Sequence, residues 1–133
     1  MYRLETKSSF DAAHFLTNYE GKCKNIHGHR WNVTVEIEGT LNNGMLVDFG
    51  VLKTDLASLC DYFDHSFIVE EGSLKKELFD MLNKEFLLRV VSFRTTAENF
   101  SKYFFDELSK KYNVYKVEVY ETPNNKAVYL KWK

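Results

Sequence analysis

Three of the four histidines fall within one short stretch of the chain, and their spacing suits a metal site. His27 and His29 are separated by one residue, so in an extended backbone both imidazoles point to the same side. If this segment pairs antiparallel with the preceding one, His14 lies opposite them. Three neutral imidazoles with one position left open are the ligand set of a catalytic rather than a structural zinc ion. The alternative is a polar turn whose exposed rings bind nothing.

A cysteine precedes the histidine pair and offers a second reactive group. Cys23 lies between Lys22 and Lys24, in the connection expected to arch over the three histidines. It would act either as a fourth metal ligand or as a thiolate beside the metal, because neighbouring cations favour the thiolate. A thiolate at neutral pH is a competent base. Cys60, by contrast, falls on an apolar helical stripe and is predicted to be a core residue.

Two acidic residues extend the candidate chemistry. Asp64 precedes the fourth histidine, His65, and a carboxylate beside an imidazole can orient that ring as a proton shuttle. The alternative is a polar pair that ends a helix. Glu121 follows Val117 and Val119 at intervals of two residues, so its side chain is expected on the same, core-facing side of a strand. A carboxylate there needs a cationic or hydrogen-bond-donating partner, and a ligand with paired N–H groups would serve.

Composition narrows the class of protein. With 133 residues, 44% of them apolar, the chain fits one domain over residues 1–133. Its 18 basic and 19 acidic residues leave no excess of positive charge, which argues against a nucleic-acid partner. It has neither a membrane-spanning apolar stretch nor the pattern of a secretory signal, which predicts a cytoplasmic protein without membrane contact. Two cysteines are too few for a disulfide scaffold.

The elements that must position the reactive residues follow from hydrophobic periodicity. Apolar and polar residues alternate in segments 2–11, 31–38, 115–121 and 127–132, which are predicted to be strands. Apolar residues recur at threes and fours in segments 49–62, 73–86 and 97–112, which are predicted to be helices. The last helix is expected to open with a capping box in Thr95-Thr96-Ala97-Glu98. The order strand, strand, helices, strand, strand predicts an α+β domain, with helices on one face of a four-stranded antiparallel sheet.

Six ordered motifs then point to a known family. They are Phe10-Asp11-Ala12-Ala13-His14, Gly21-Lys22-Cys23 with His27-Gly28-His29, Met45-Leu46-Val47-Asp48-Phe49, Asp64-His65, Thr95-Thr96-Ala97-Glu98-Asn99 and Val119-Tyr120-Glu121-Thr122. Over essentially the whole chain this series resembles the 6-pyruvoyl-tetrahydropterin and 6-carboxy-tetrahydropterin synthase family. Two departures stand out. The connection between His65 and Thr95 is longer than usual, and Arg94 and Thr95 stand where a Pro-containing motif is common.

The resemblance implies a role for each reactive residue. It implies a Zn²⁺ ion held by His14, His27 and His29. Cys23 would be the catalytic base or acid, with Asp64 and His65 as its proton-transfer partner.

The resemblance also implies a substrate pocket and an assembly. Glu121 would anchor the 2-amino-pyrimidinone edge of a pterin, assisted by Glu98 and by the backbone around Thr95 and Thr96. The implied architecture is the tunnelling fold, in which small subunits close into a barrel as a homo-oligomer, with active sites between subunits. A hexamer is the expected form.

The implied reaction is that of a zinc-dependent lyase acting on 7,8-dihydroneopterin triphosphate. The interval between Cys23 and His27 favours the 6-carboxy branch, which releases acetaldehyde and triphosphate on the way to a 7-deazaguanine base. The segment 124–129 is more similar to the pyruvoyl branch, which eliminates triphosphate and keeps the diketone. A pterin-binding protein without turnover is a further alternative, although it would need Glu121 and not Cys23, Asp64 and His65.

Overall fold

A computed structural model of the chain describes residues 1–132, which form one mixed sheet with helices against it. The strands are β1 (Tyr2–His14), β2 (His27–Gly39), β3 (Ser66–Glu70), β4 (Leu88–Val91), β5 (Val114–Thr122) and β6 (Asn125–Leu130). The helices are α1 (Phe49–Phe63), α2 (Lys76–Glu85) and α3 (Ala97–Ser109). The strands lie in the order β4-β3-β1-β2-β5-β6.

The hairpin of β1 and β2 is the longest pairing in the sheet and sets the position of the histidines. Its antiparallel register runs from Tyr2 opposite Gly39 to His14 opposite His27. Alternate side chains point to one face, where Phe10 and Trp31 are buried with stacked rings 5.8 Å apart. The predicted pairing of the first two strands is therefore confirmed, and it puts His14 at the same end as the other two histidines.

The sheet holds six strands instead of the predicted four, and part of it is parallel. The predicted strands correspond to β1, β2, β5 and β6, which pair antiparallel as expected. The additional β3 and β4 are parallel to β1 and to each other, with α2 as the crossover between them. Both strands are short apolar runs beside helical segments, and periodicity alone does not separate such runs from helix. The α+β class is confirmed.

Helices α1 and α3 cover one face of the sheet and complete the core. Helix α1 begins where predicted, because the Asp48 carboxylate accepts a hydrogen bond from the backbone N–H of Gly50 at 2.7 Å. It buries Leu52, Leu56 and Cys60 against the sheet. Helix α2 differs, since none of its residues is buried. Among residues 1–132, no helix is long and apolar enough to cross a membrane.

The start of α3 differs from the predicted capping box. The cap is Thr96, whose hydroxyl accepts from the backbone N–H of Asn99 at 3.2 Å. Glu98 therefore occupies the second helical position, from which it cannot close the box with Thr95. The physical reason is that the hydroxyl of Thr95 is already engaged with the end of β1.

Candidate metal and catalytic site

The ends of β1, β2 and β5 bring four potential metal ligands together. One ligand atom from each of His14, His27, His29 and Glu121 lies within 4.8 Å of the others. The ring centroids of His14 and His27 are 4.6 Å apart, and those of His27 and His29 are 4.8 Å apart. The strand register explains this, because His14 pairs with His27 and alternation returns the side chain of His29 to the same face. The predicted meeting of three imidazoles is what the structure shows.

The buried nitrogens of this group lack the partners that buried polar atoms normally have. Within residues 1–132, the Nε2 atoms of His14, His27 and His29 are all buried without a partner in hydrogen-bond geometry. For two of the rings the other nitrogen is occupied. His14 Nδ1 lies 3.0 Å from Thr95 Oγ1, and His27 Nδ1 lies 2.7 Å from the carbonyl oxygen of Asn25. This is the arrangement of metal-binding histidines, in which one ring nitrogen is held so that the other is free for the metal.

The carboxylate of Glu121 faces the same point as the imidazoles. Its Oε1 lies 3.2 Å from His14 Nε2 and 3.5 Å from His29 Nε2. The imidazole of His14 holds the pKa of Glu121 below its usual range, whereas burial holds the pKa of His29 below its own. A carboxylate beside three imidazoles is a donor set that can hold a metal ion such as zinc. The prediction that Glu121 faces the core side is confirmed, and it lies beside the histidines.

The two cysteines occupy different environments. Cys23 is a half-buried free thiol in a single 3-10 turn, Lys22–Lys24, between β1 and β2. Its carbonyl oxygen accepts from the backbone N–H of Leu16 at 2.8 Å, which folds the connection back beside the end of β1. Cys23 does not belong to the group of four ligands. Cys60 is fully buried, and burial raises the pKa of its thiol to about 12, as expected of an unreactive core residue.

Asp64 and His65 form a hydrogen-bonded pair at the end of α1. Asp64 Oδ2 lies 2.8 Å from His65 Nδ1, and this carboxylate raises the pKa of His65. His65 has a φ of 57°, a left-handed conformation that is uncommon for a residue with a side chain. Two hydrogen bonds to the backbone of Asp11 hold it there: Asp11 N–H donates to Asp64 Oδ1 at 2.8 Å, and His65 N–H donates to the Asp11 carbonyl at 2.6 Å.

The Asp64–His65 pair does not join the three-histidine group of the same chain. Its charged neighbours are Asp11 and Arg30, which form an ion pair at 2.9 Å. Along the strands these two residues alternate with the core-facing Ala12 and His29, so they project from the opposite face of the sheet. The side chain of His65 is 79% exposed, whereas that of His14 is fully buried. Sequence reasoning did not identify Asp11 or Arg30 as neighbours, because the contact depends on how α1 returns to the sheet.

Three of the residues predicted to bind substrate, Thr95, Thr96 and Glu98, lie at the start of α3, but they are not equivalent. Glu98 and Glu121 line one cavity of about 340 Å³ together with the β6 hairpin. Thr96 caps the helix beside that cavity. Thr95 is buried, and its hydroxyl contacts His14.

Comparisons with known proteins agree with these features. A sequence profile described as 6-pyruvoyl tetrahydropterin synthase matches residues 3–131. The chain is 31% identical to the 6-carboxy-5,6,7,8-tetrahydropterin synthase of Haemophilus influenzae, over 97% of this chain and 99% of that protein. It is 34% identical to the protein of the same name from Aquifex aeolicus, over 81% of this chain and 75% of that protein.

Solved structures share the fold over nearly the full length. The 6-pyruvoyl tetrahydropterin synthase of Plasmodium vivax superposes with a TM-score of 0.80 at 23% identity, covering 98% of this chain and 97% of that one. The Caenorhabditis elegans 6-pyruvoyl tetrahydropterin synthase gives 0.73 at 27% identity, covering 98% and 96%. The predicted fold and the prediction of an enzyme of the lyase type are confirmed. The chain belongs to the 6-pyruvoyl tetrahydropterin synthase family.

Proposed function

We propose that the chain is a zinc-dependent 6-carboxy-5,6,7,8-tetrahydropterin synthase. It would convert 7,8-dihydroneopterin triphosphate and water into 6-carboxytetrahydropterin, acetaldehyde and triphosphate, as a step towards a 7-deazaguanine base. The observation that carries the proposal is the group of three buried, unpartnered Nε2 atoms beside Glu121. The names of the relatives from Haemophilus influenzae and Aquifex aeolicus support the choice of the 6-carboxy product.

In this proposal the metal ligands are His14, His27 and His29. Zinc bound there supplies a Lewis acid that acidifies substrate hydroxyls and stabilises negative charge on oxygen. A zinc ion fits this group because the Nε2 atoms of the three histidines are buried and lie close to one another.

The remaining residues bind the substrate and move protons. Cys23 removes a carbon-bound proton as a thiolate, and His65, oriented by Asp64, relays protons to and from the side chain of the substrate. Glu121 and Glu98 line the cavity that would receive the N–H-rich edge of the pterin, with Thr96 beside them. The backbone around Thr95 and Thr96 would assist Glu121 in binding the pterin.

We further propose that the active form is a cytoplasmic homo-oligomer, a hexamer in the form that the resemblance implies. Cys23 is near the three-histidine end of the hairpin, whereas Asp64 and His65 face the side of Asp11 and Arg30. A second copy of the chain would bring its own Asp64 and His65 to the thiol. Mixing a Cys23→Ala chain with a His65→Ala chain tests this, because hybrid oligomers should regain turnover that neither variant shows alone. Activity that stays absent in verified hybrids would contradict shared sites.

Two other functions remain as alternatives. The family profile carries the name of the pyruvoyl synthase, whose product retains the diketone after triphosphate elimination. A pterin-binding protein of the same fold would need the pocket alone, and the combination of a free Cys23 with the Asp64–His65 pair argues against it.

One incubation separates the three. Zinc-loaded protein is mixed with 7,8-dihydroneopterin triphosphate, the pterin product is identified by mass spectrometry, and acetaldehyde is assayed enzymatically. Carboxytetrahydropterin with an equal amount of acetaldehyde supports the proposal. A pyruvoyl product without acetaldehyde selects the second function, and tight pterin binding without turnover selects the third.

A further inference from the structure

Thr95 occupies an unusual place between the core and the three-histidine group. It is 1% exposed and immediately precedes the cap of α3. Its hydroxyl contacts two groups from the end of β1: His14 Nδ1 at 3.0 Å and the carbonyl oxygen of Phe15 at 3.2 Å. The resemblance implies a pocket role for the backbone around this residue, and its side chain contacts a metal-ligand candidate.

The two contacts fix the direction of each hydrogen bond. A hydroxyl carries one proton, and a carbonyl oxygen can only accept, so Thr95 donates its proton to Phe15. Its oxygen is then left to accept a proton from Nδ1 of His14. With the proton on Nδ1, Nε2 is the ring nitrogen that can bind a metal, and it is the buried atom that faces Glu121.

The neighbouring residues hold the Thr95 hydroxyl in this position. Arg94 donates from Nε to the carbonyl oxygen of Thr17 at 3.1 Å, which ties the segment to the connection after β1. Asn99 donates from Nδ2 to the carbonyl oxygen of Arg94 at 2.9 Å, which ties it to α3. Thr96 supplies the helix cap, so the hydroxyl of Thr95 is free for His14. The segment is thus anchored on both sides of the contact.

We propose that Thr95 is a positioning residue that fixes the tautomer and ring orientation of His14, and thereby the metal affinity of the site. The inference rests on the proposed function, since it requires that the three histidines hold a metal. In His27, Nδ1 is held by the backbone carbonyl oxygen of Asn25, and no side-chain substitution removes that carbonyl. For His14 the partner is a side chain, so its contribution can be measured.

The main test compares two variants that differ in one hydroxyl. Thr95→Val keeps the shape and removes the hydroxyl, while Thr95→Ser keeps the hydroxyl. Zinc affinity is measured by competition with a chromophoric chelator, and the visible spectrum of the Co²⁺-substituted protein reports ligand geometry. We expect Thr95→Val to bind zinc about 10–100-fold more weakly with an altered Co²⁺ spectrum, and Thr95→Ser to restore both towards the parent values.

The matched control removes another buried hydroxyl of the same region. Ser101 in α3 is 1% exposed and donates to the carbonyl oxygen of Glu98 at 2.6 Å. Ser101→Ala should leave zinc affinity unchanged. The inference is overturned if Thr95→Val binds zinc as tightly as the parent, if Thr95→Ser loses as much as Thr95→Val, or if Ser101→Ala weakens binding equally. Failure of the parent chain itself to bind zinc would instead overturn the proposed function together with this inference.

A second measurement needs no variant and covers the case in which Thr95→Val does not fold. Long-range ¹H–¹⁵N correlation spectra of the zinc-loaded parent chain report which ring nitrogen of each histidine carries the proton. His14 should show the Nδ1-protonated pattern. A pattern of Nε2 protonation at His14 would overturn the inference irrespective of the variants.

Discussion

The chain contains two histidine environments of opposite character. His29 belongs to the group at the end of the β1–β2 hairpin, where burial lowers its pKa. His65 lies at the end of α1 with an exposed ring, where the hydrogen bond that it donates to the Asp64 carboxylate raises its pKa. One environment keeps the imidazole neutral and available to a metal, and the other favours the imidazolium that can donate a proton. The comparison shows how the surroundings alone move the pKa of one residue type in opposite directions.

The largest expected difference between the two environments is in metal binding. His27→Ala removes a ligand from the three-histidine group, so stoichiometric zinc should be lost. His65→Ala removes an imidazole outside that group and should leave one zinc per chain. Metal content after dialysis, measured by inductively coupled plasma mass spectrometry, checks both variants. The site is wrongly assigned if His27→Ala keeps its metal.

The next effect concerns turnover at constant metal content. Cys23→Ala removes the proposed base and Asp64→Asn removes the charge that orients His65, so each should lower kcat by about 10²–10⁴-fold. Both variants should keep zinc, because neither residue belongs to the ligand group. Steady-state kinetics with parallel metal analysis is the measurement.

Cys60→Ala is the matched control for the thiol, since Cys60 is a buried core residue. This variant should lower the melting temperature and leave kcat near the parent value. Loss of zinc in Cys23→Ala would instead identify Cys23 as a ligand.

A pH titration compares the two environments directly in the metal-free protein. Following the ring protons by NMR, His29 should titrate below, and His65 above, the ordinary histidine value of about 6.5. The effects on stability have opposite signs. Because folding disfavours protonation of His29, its effect lowers the free energy of unfolding as the pH falls through that value. The stabilising contribution of His65 is present below that value and is lost as the pH rises through its folded-state pKa. Coincident midpoints for the two residues would contradict the comparison.

The smallest expected effect is on the pKa of His65, and it comes from the ion pair between Asp11 and Arg30. The charge of Asp11 raises the pKa of His65, and the charge of Arg30 lowers it. Asp11→Asn should therefore shift the NMR midpoint of His65 down, and Arg30→Gln should shift it up. Both shifts should be smaller than that of Asp64→Asn, because Asp64 contacts the ring directly. Shifts of the same sign in the two variants would show that the pair acts through structure and not through charge.

The parts of this molecule that could be predicted from sequence are those governed by local alternation. Alternation in β1 and β2 places His14, His27 and His29 on one face, and parity along β5 places Glu121 with them. The strands β3 and β4 were missed because their few apolar residues fit either period.

The contacts that depend on tertiary structure could not be predicted from the sequence either. The face of the sheet on which Asp64 and His65 lie depends on how α1 returns to β1. The contact between Thr95 and His14 joins residues that are 81 positions apart. Neither has a local signal in the sequence. The capping box failed for the same reason, because a distant carbonyl competes for the hydroxyl of Thr95.

The three histidines proposed as ligands come from the paired ends of β1 and β2, and Glu121 of β5 lies beside them. An ion held by the histidines would cross-link the two strand ends, and it would bind the folded chain in preference to the unfolded one. By mass action, free metal at 100 times its dissociation constant adds about 2.7 kcal/mol to the free energy of unfolding. The melting temperature would then rise with the concentration of free zinc. Removal of zinc would lower the stability of the fold as well as the turnover.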